Sequence, residues 1–388
     1  MSHFIFQTGH GKALAGKEIE AVLGDVIIDE VFDGYVVEAE IEDPIALLDQ
    51  MGGIVRITEV VQSGPTSMPL NFESWVIHTL TNAFESKSGK FRYGVSIHPK
   101  SEKILKKILI GSKKNLKPIL GNLRFVNKDF HNLSSVQAWH EGLLKDNAME
   151  IHLFKSESKW YMSRTRAIQN FEWYSKRDYE RPAKRAKNGM FPPKLAQILI
   201  NLSGEKNHIY DPFCGSGTVL QEALLKGLQT SGSDLYPEMV ADSRTNLDWL
   251  GRTTGAIMDY ALFQADATRL TKNQLPSEDY SIVTETWLGP MLTQCPSPLE
   301  LPKIQREIES LYEAFFDNMK RIVTSPVTVV FTAPYHKEKN KRYFLPRLPE
   351  ILARNTKIVQ LSDHERPSMF YERKNQIVGR EIWKVVIG

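Results

Sequence analysis

The chain has 388 residues and a mass of 44.3 kDa, which is enough for two or three domains. Hydrophobic residues make up 41% and charged residues 24%, a composition that excludes wholesale disorder, collagen-like repeats and a coiled coil. The two cysteines, Cys214 and Cys295, are too few for a disulfide framework or a zinc cluster. The sequence shows neither a signal peptide nor a membrane-length apolar run, so we expect a cytoplasmic protein.

The net charge of +3 averages over two segments of opposite charge. Residues 1–74 hold 3 Lys and Arg against 13 Asp and Glu, whereas residues 75–200 hold 24 against 10. A basic segment of this size suits a polyanionic partner such as a nucleic acid. The alternative is an ordinary lysine-rich surface, and charge alone does not decide between the two.

The first segment, residues 1–70, alternates short apolar runs with one helical stretch from Ala13 to Leu23. Its order of strand, helix, strand and strand predicts a small α+β domain. The turn-rich sequence SGPTSMP at 63–69 predicts a linker behind it.

The second segment, residues 71–165, also alternates strand and helix patterns and contains a lysine-rich helix at 103–120. No pattern in it indicates catalysis, so we expect a small α/β binding module. Within its basic helix, Lys113, Lys114 and Lys117 are the candidate RNA-binding residues.

Residues 166–190 form a linker in which aromatic and basic side chains are interleaved. Such a segment either binds RNA, with cations on phosphates and rings on bases, or packs as a bridge between domains. We expect a mixture, in which Phe171, Trp173 and Tyr174 pack while four cations face a ligand. These cations are Arg177, Arg181, Lys184 and Arg185.

The last segment, residues 191–388, alternates strands and helices regularly. Pro192 and Pro193 begin a helix that ends at Leu202, since proline suits the first helical turn. Six strands separated by helices, with a final strand after a long loop, predict a doubly wound, mostly parallel, Rossmann-like α/β sheet. In chain order these strands are NHIYDPF, QTSGSDL, AIMDYALFQAD, YSIVTE, VTVVFTA, TKIVQL and REIWKVVI.

The first of these strands runs into the sequence DPFCGSGT, residues 211–218. Its glycines let a ligand approach the backbone where a helix begins. The pattern departs from the dinucleotide fingerprint, because Leu220 occupies the place of the third glycine. An acid ahead of the glycines repels a pyrophosphate but suits a cofactor that carries an amine.

Two further acids follow at the ends of the next two strands, where open α/β sheets bind ligands. Asp234 can accept both hydroxyls of a ribose, and Asp266 can accept from an adenine amino group. Each acid alone is more often a helix cap or a turn residue. Together with Asp211 they predict a pocket for S-adenosylmethionine.

Several segments resemble a known family. DPFCGSGT resembles motif I of the class I methyltransferases that modify exocyclic amino groups of nucleic-acid bases. The stretches at 177–202, 246–250 (NLDWL) and 371–382 (YERKNQIVGREI) resemble the THUMP-containing tRNA (guanine-N2-)-methyltransferases of the guanosine-10 type. The basic segment, especially GNLRFVN at 121–127, resembles a THUMP domain.

This resemblance implies a domain order along the whole chain. Residues 1–70 would be a ferredoxin-like domain and residues 71–165 a THUMP-like RNA-binding domain. The linker at 166–190 would lead into a class I methyltransferase domain at 191–388 with a seven-stranded, mostly parallel sheet. The implied activity is an S-adenosylmethionine-dependent tRNA methyltransferase that forms N2-methylguanosine at or near position 10.

The resemblance also implies roles for individual residues. Asp234 would hold the ribose of the cofactor and Asp266 its adenine. Pro192 would either close the methionine end of the cofactor or only begin a helix. The residues implied at the methionine end are Asp211, Phe213, Gly215 and Gly217.

The fourth strand end departs from the family pattern of Asp or Asn followed by Pro-Pro-Tyr, since it reads Glu285-Thr286-Trp287. Acceptors on the amino hydrogens would help a delocalised guanine amine to react. The Glu285 carboxylate and the Thr286 carbonyl can supply them, Glu285 can take the released proton, and Trp287 can stack on the base. Alternatively, Glu285 is an ordinary strand-end acid and Trp287 a core residue, which leaves an inactive protein that binds cofactor and RNA.

A DNA or other RNA amino-methyltransferase is a further alternative, because such enzymes share DPFCGSG. The loops at 334–347 and 362–376 are rich in cations and aromatics and either add an RNA surface, with Arg373 in it, or are merely solvated. We expect Cys214 to be a packed, inert thiol and expect no metal site. Some members of the family act with a small partner protein, and the sequence leaves this open.

Overall fold

The computed structural model describes residues 2–184, 191–204, 206–277, 279–339, 341–362, 364–373 and 376–388. The chain divides into two compact units, Met1–Phe171 and Glu172–Gly388. Each unit has its own sheet and its own apolar core.

One sheet runs through the first unit in the order β2-β3-β1-β4-β8-β7-β5-β6. Its pairs are antiparallel except that β5 lies parallel to β6 and β7. The strands are β1 Ser2–Thr8, β2 Ile27–Val31, β3 Gly34–Ala39, β4 Ile54–Pro65, β5 Phe91–His98, β6 Leu123–Phe125, β7 Ala148–Lys155 and β8 Lys159–Ile168. The helices that precede the linker are α1 Lys12–Leu23, α2 Pro44–Asp49, α3 Phe72–Phe84, α4 Glu102–Leu120 and α5 Ser135–His140.

β4 is longer than the sequence predicts. The expected linker at 63–69 begins inside this strand, because Ser63 to Pro65 pair with the start of β8 at 159–161. The two halves of the unit therefore share one continuous sheet. The domain division at residue 70 stays a prediction.

The basic helix α4 is amphipathic. Its apolar side, which includes Leu105, Leu109 and Leu116, is buried in the core of the first unit. Its lysines project from the opposite side into solvent, as expected from the 3.6-residue period.

The second unit contains the seven strands that the sequence predicts, in the order β11-β10-β9-β12-β13-β17-β15. The strands of this unit are β9 His208–Asp211, β10 Gln229–Asp234, β11 Tyr260–Gln264, β12 Tyr280–Glu285, β13 Val327–Glu338, β14 Lys341–Tyr343, β15 Lys357–Val359, β16 Met369–Tyr371 and β17 Val378–Ile387. The remaining helices are α6 Phe171–Tyr179, α7 Pro193–Leu202, α8 Thr218–Leu225, α9 Pro237–Thr254, α10 Leu301–Ile322 and α11 Leu348–Asn355.

Strands β9 to β13 run parallel, whereas β17 lies antiparallel between β13 and β15. This arrangement confirms the predicted Rossmann-like sheet. The strand order reverses between β9 and β12, which is where open α/β sheets bind ligands beyond their carboxyl ends. The acids that close these strands therefore meet at one edge.

The two predicted loops are partly structured. β13 continues to Glu338 and pairs with β14, which lies inside the first loop. β16 lies inside the second loop, 362–376, and pairs with β17.

In the part of the chain that the structure describes, no helix is both long and apolar enough to cross a membrane.

Candidate active site

The glycine loop between β9 and α8 is built for close approach of a ligand. Gly215 and Gly217 have φ values of +50° and +83°, in the left-handed region that favours glycine. A Cβ on Gly217 would lie 2.4 Å from Ser243 Oγ, so a larger residue there would force Ser243 to move as well as strain the backbone. A Cβ on Gly215 would meet only the Phe213 carbonyl, at 4.0 Å, so the space in front of the loop is open.

Asp211 is a buried acid at the start of this loop. Its Oδ1 accepts hydrogen bonds from the Phe213 N–H at 3.0 Å and from Thr284 Oγ1 at 2.6 Å. Burial raises the pKa of Asp211 to about 7, with smaller contributions in the same direction from Asp234 and Glu285. A positively charged amine beside Asp211 would favour its ionised form.

Asp234 lies against the same loop. Its Oδ2 accepts from the Gly215 N–H and its Oδ1 from the Tyr236 N–H, both at 3.0 Å. Burial raises the pKa of Asp234. Two backbone hydrogen bonds fix the carboxylate, and each oxygen keeps a lone pair for a hydroxyl donor.

Asp266 follows β11 and caps a short 3-10 turn. Its Oδ1 accepts from the Thr268 N–H at 2.9 Å and from Thr268 Oγ1 at 2.7 Å. The helix-cap role that the sequence left open is therefore real. The second oxygen, Oδ2, lies 3.7 Å from Arg269 Nε and stays available as an acceptor.

Phe213 packs against the apolar core of the second unit, and Pro192 is buried at the start of α7. The Phe213 ring meets the ring of Phe315 edge-on, with centroids 5.4 Å apart. Pro192 is buried and is the N-cap residue of α7, as the helix-start interpretation predicts. The thiol of Cys214 is buried in the apolar cluster under the loop, and burial raises its pKa well above the usual range.

The fourth strand end places three predicted residues in three different environments. Glu285 is mostly buried, and its Oε1 accepts from Arg380 Nε at 2.5 Å. The Thr286 hydroxyl is buried and donates to the Thr332 carbonyl at 2.9 Å. Trp287 has 43% of its surface exposed, so it is not a core residue. Its ring is accessible to a ligand.

Arg177 and Arg181 are buried, which contradicts the expectation that they face a ligand. Arg177 makes a two-pronged ion pair with the buried Glu222 of α8, at 2.8 and 3.0 Å, and stacks on Tyr174. Arg181 donates to Thr218 Oγ1 at 2.6 Å. A buried acid needs a compensating charge, and Arg177 of the linker provides it for Glu222.

The other predicted RNA contacts are exposed where the structure describes them. Lys184 and Arg373 are exposed in the second unit, whereas Arg185 lies outside the described residues. In the first unit, Lys113, Lys114 and Lys117 are exposed on α4. The structure thus brings together the acids of the glycine loop and Glu285, and the three lysines belong to a separate unit.

Sequence reasoning missed the role of Asn246 in the segment NLDWL. Its side chain accepts from the Ala183 N–H at 2.9 Å and donates to the carbonyls of Ala183 and Ser216 at 3.0 and 2.9 Å. It therefore ties the linker to the glycine loop. The signal in the sequence was its position on the same side of α9 as Leu247 and Leu250, which the helical period predicts to be buried.

Arg380 was also missed as a site residue. It stands in the mostly apolar strand VGREIWKVVI, and only 5% of its surface is exposed. An arginine buried in a strand requires an acidic partner, and the structure identifies that partner as Glu285. Among the described residues, no group of three His, Cys, Asp or Glu is arranged to hold a metal ion.

Residues 181–359 match the UPF0020 family, described as the RMKL-like methyltransferase domain. The matched range is slightly less than half of the chain. The predicted class I methyltransferase fold is confirmed by this match and by the sheet order.

Two curated relatives share sequence with the chain. The tRNA (guanine(10)-N2)-dimethyltransferase of Pyrococcus abyssi is 26% identical over 193 residues, which cover 47% of this chain and 55% of that protein. The protein of the same name from Methanothermobacter thermautotrophicus is 31% identical over 150 residues, which cover 38% of this chain and 40% of that protein. The chain thus spans about half the length of the curated relatives it matches. These matches confirm the predicted resemblance to tRNA guanine-N2 methyltransferases.

The fold of the whole chain has a counterpart among solved structures. The crystal structure of TrmN from Thermus thermophilus superposes over 100% of both chains with a TM-score of 0.56 and 14% identity. At that identity the likeness concerns the fold alone.

Proposed function

We propose that this protein transfers a methyl group from S-adenosylmethionine to the exocyclic N2 of a guanine in tRNA. The observation that carries the proposal is the row of acids Asp211, Asp234 and Glu285 around an open glycine loop. The names of the two curated relatives supply the substrate and the position, guanosine 10. A tRNA substrate also agrees with the expected cytoplasmic location.

The residues around the loop fit the cofactor. The open space in front of Gly215 admits a ligand against the backbone, and Asp211 offers a carboxyl group that a cationic amine would ionise. Asp234 keeps acceptor capacity for the ribose hydroxyls and Asp266 for the adenine amino group. When bound, S-adenosylmethionine supplies an electrophilic methyl group on a sulfonium.

Phe213, Gly217 and Pro192 complete the proposed cofactor site through packing. Phe213 holds the loop against α10, and Gly217 allows the chain to pass Ser243. Pro192 is the N-cap residue of α7. We assign these three residues to the shape of the methionine end.

Glu285 performs the acid–base part of the proposed reaction. One of its oxygens, Oε1, is held by Arg380, and Oε2 has no hydrogen-bond partner among the described residues. Oε2 can accept a hydrogen of the guanine amino group and take its proton as the new bond forms. The Thr286 carbonyl is the second proposed acceptor, and the exposed Trp287 ring offers a stacking surface for an extruded base.

RNA binding is assigned mainly to the first unit, with the predicted ferredoxin-like and THUMP-like parts. On α4 the exposed Lys113, Lys114 and Lys117 form a basic row above a buried apolar side. In the second unit Lys184 and Arg373 are exposed cations suited to phosphate. Arg177 and Arg181 are left out of this proposal because they are buried.

A competition assay tests the substrate class. Transfer of the labelled methyl group is counted on a biotin-tagged, unmodified tRNA transcript recovered from the reaction, with excess untagged tRNA or excess duplex DNA as the competitor. We expect tRNA to compete and DNA of equal nucleotide concentration to leave the rate within about twofold at physiological salt. Methylation of the DNA with equal efficiency would favour a DNA amino-methyltransferase instead.

A further inference from the structure

Arg380 and Glu285 form an ion pair across the sheet of the second unit, although they are 95 residues apart in sequence. Arg380 belongs to β17 and Glu285 closes β12, with β13 lying between these strands. The distance from Nε to Oε1 is 2.5 Å, and the side chains are only 6% and 17% exposed. The pair is thus nearly removed from water.

Arg380 is fixed on more than one side. Its guanidinium lies 5.8 Å from the centre of the Phe191 ring, beside Pro192. In the register of β13 and β17 it stands opposite Pro334. A cation held in this way sets the position of the carboxylate that it binds.

The charges around Glu285 make this cation necessary. Burial raises the pKa of Glu285, and Arg380 acts in the opposite direction. Two further titratable groups interact electrostatically with Glu285, the carboxyl of Asp211 on β9 and the phenol of Tyr312 on α10. Neither supplies a positive charge, so Arg380 is the cation that compensates Glu285 among the described residues.

We propose that Arg380 is a positioning residue for methyl transfer: it holds Oε1 of Glu285, keeps the carboxylate ionised and leaves Oε2 to accept from the amino group of the target base. This inference rests on the proposed function, because it assigns the acceptor role to Glu285. Arg380 itself touches neither the cofactor nor the base in this proposal. Its effect passes through the charge and orientation of one carboxylate.

The test is the pH dependence of single-turnover transfer to tRNA, with Arg380→Gln and Arg380→Lys compared with the wild type. The Gln variant should lose about tenfold or more in rate at pH 7. Its acid limb, the part of the pH–rate profile where the rate falls towards low pH, should move up by about one pH unit or more. The Lys variant keeps a cation, so its acid limb should stay near the wild-type pH while the plateau falls. Cofactor affinity should stay within about twofold in both.

Arg354→Gln is the matched control, since it breaks an Arg–Glu pair with Glu313 that lies on the exposed faces of α11 and α10. It should leave the rate and the pH profile unchanged. If Arg380→Gln does not fold, as judged by its thermal melting curve, Arg380→Lys still decides the question. In that variant the maximal rate should fall while the pH at which the rate declines on the acid side stays near the wild-type value. A Lys variant whose plateau and limb both equal those of the wild type would overturn the inference.

The outcomes separate this inference from the proposed function. A wild-type protein that methylates no guanosine contradicts the proposed function, whatever the variants do. A wild-type protein that methylates guanosine, with Glu285→Gln inactive and Arg380→Gln unchanged in rate and acid limb, overturns only the role of Arg380.

Discussion

Thr284 Oγ1 donates a hydrogen bond of 2.6 Å to Asp211 Oδ1, which joins the carboxyl ends of two neighbouring parallel strands. The acid of the glycine loop and the strand that carries Glu285 are therefore one connected unit. Because Asp211 is buried, its pKa rises to about 7, and the carboxyl changes its charge close to neutral pH. Cofactor binding should depend on that charge.

The affinity for S-adenosylhomocysteine should fall as the pH drops below 7. A raised pKa means that Asp211 is protonated and neutral below that value, and only its ionised form attracts the amine of the ligand. Titration calorimetry between pH 5.5 and 7.5 should show a dissociation constant that rises up to about tenfold per pH unit on the acid side. Asp211→Asn should flatten this dependence, and a flat wild-type curve would count against an amine contact at Asp211.

Asp234→Ala should raise the dissociation constant of the cofactor by about tenfold or more, because hydrogen bonds to a charged group contribute about 1.5 to 3 kcal/mol. The transfer rate at saturating cofactor should change much less. Asp259→Ala is the control, since Asp259 is an exposed acid just before β11. Unchanged affinity in the Asp234 variant would refute the ribose contact.

Glu285→Gln should reduce transfer by about a hundredfold or more, because the amide neither carries the negative charge nor takes the proton. Glutamine keeps the size of the side chain and a hydrogen-bond acceptor for Arg380. Cofactor affinity, measured separately, should stay near normal. If affinity disappears together with activity, Glu285 acts in cofactor binding rather than as the acceptor.

Replacing Lys113, Lys114 and Lys117 together by Gln should weaken tRNA binding. The slope of the logarithm of the tRNA association constant against the logarithm of the salt concentration should become smaller in magnitude by up to about three. Filter binding between 50 and 300 mM KCl measures the slope. The matched control replaces three other exposed lysines of the first unit, Lys90, Lys145 and Lys159. Equal losses in both triple variants would show that α4 is only part of a diffuse positive surface.

Arg177→Ala should lower the free energy of unfolding by about 3 to 5 kcal/mol, since it leaves Glu222 buried without its partner. The double change Arg177→Met with Glu222→Leu should recover most of that loss. Chemical denaturation measures both, with Arg354→Ala as a surface control expected to cost less than about 1 kcal/mol. A small loss for Arg177→Ala would mean that the pair is not buried in solution.

The sequence predicts the second sheet well because most of its strands contain a short apolar run and the strands alternate regularly with helical patterns. The acids at its strand ends follow from the same pattern, since parallel strands end at one edge. The first unit is harder to divide, because β4 continues through the turn-like residues 63–65 and pairs with β8 about a hundred residues later. Long-range pairing of this kind leaves no local trace.

The site was predictable where function depends on local sequence and not where it depends on distant partners. Asp211 and Gly215 lie in one short motif, whereas the contact of Glu285 with Arg380 arises only when β17 inserts next to β13. Arg177 was misplaced for the same reason, because its partner Glu222 lies 45 residues away on a helix. A basic segment gives no local sign of which cations will be buried.

The most direct test of the account is the identity of the nucleoside that receives the methyl group. Unmodified tRNA is incubated with the full chain and methyl-labelled S-adenosylmethionine, digested to nucleosides and separated by chromatography with mass spectrometry. We predict label in N2-methylated guanosine and its loss with Glu285→Gln. Label in adenosine or cytidine, or no transfer from a folded protein that binds the cofactor, would contradict it.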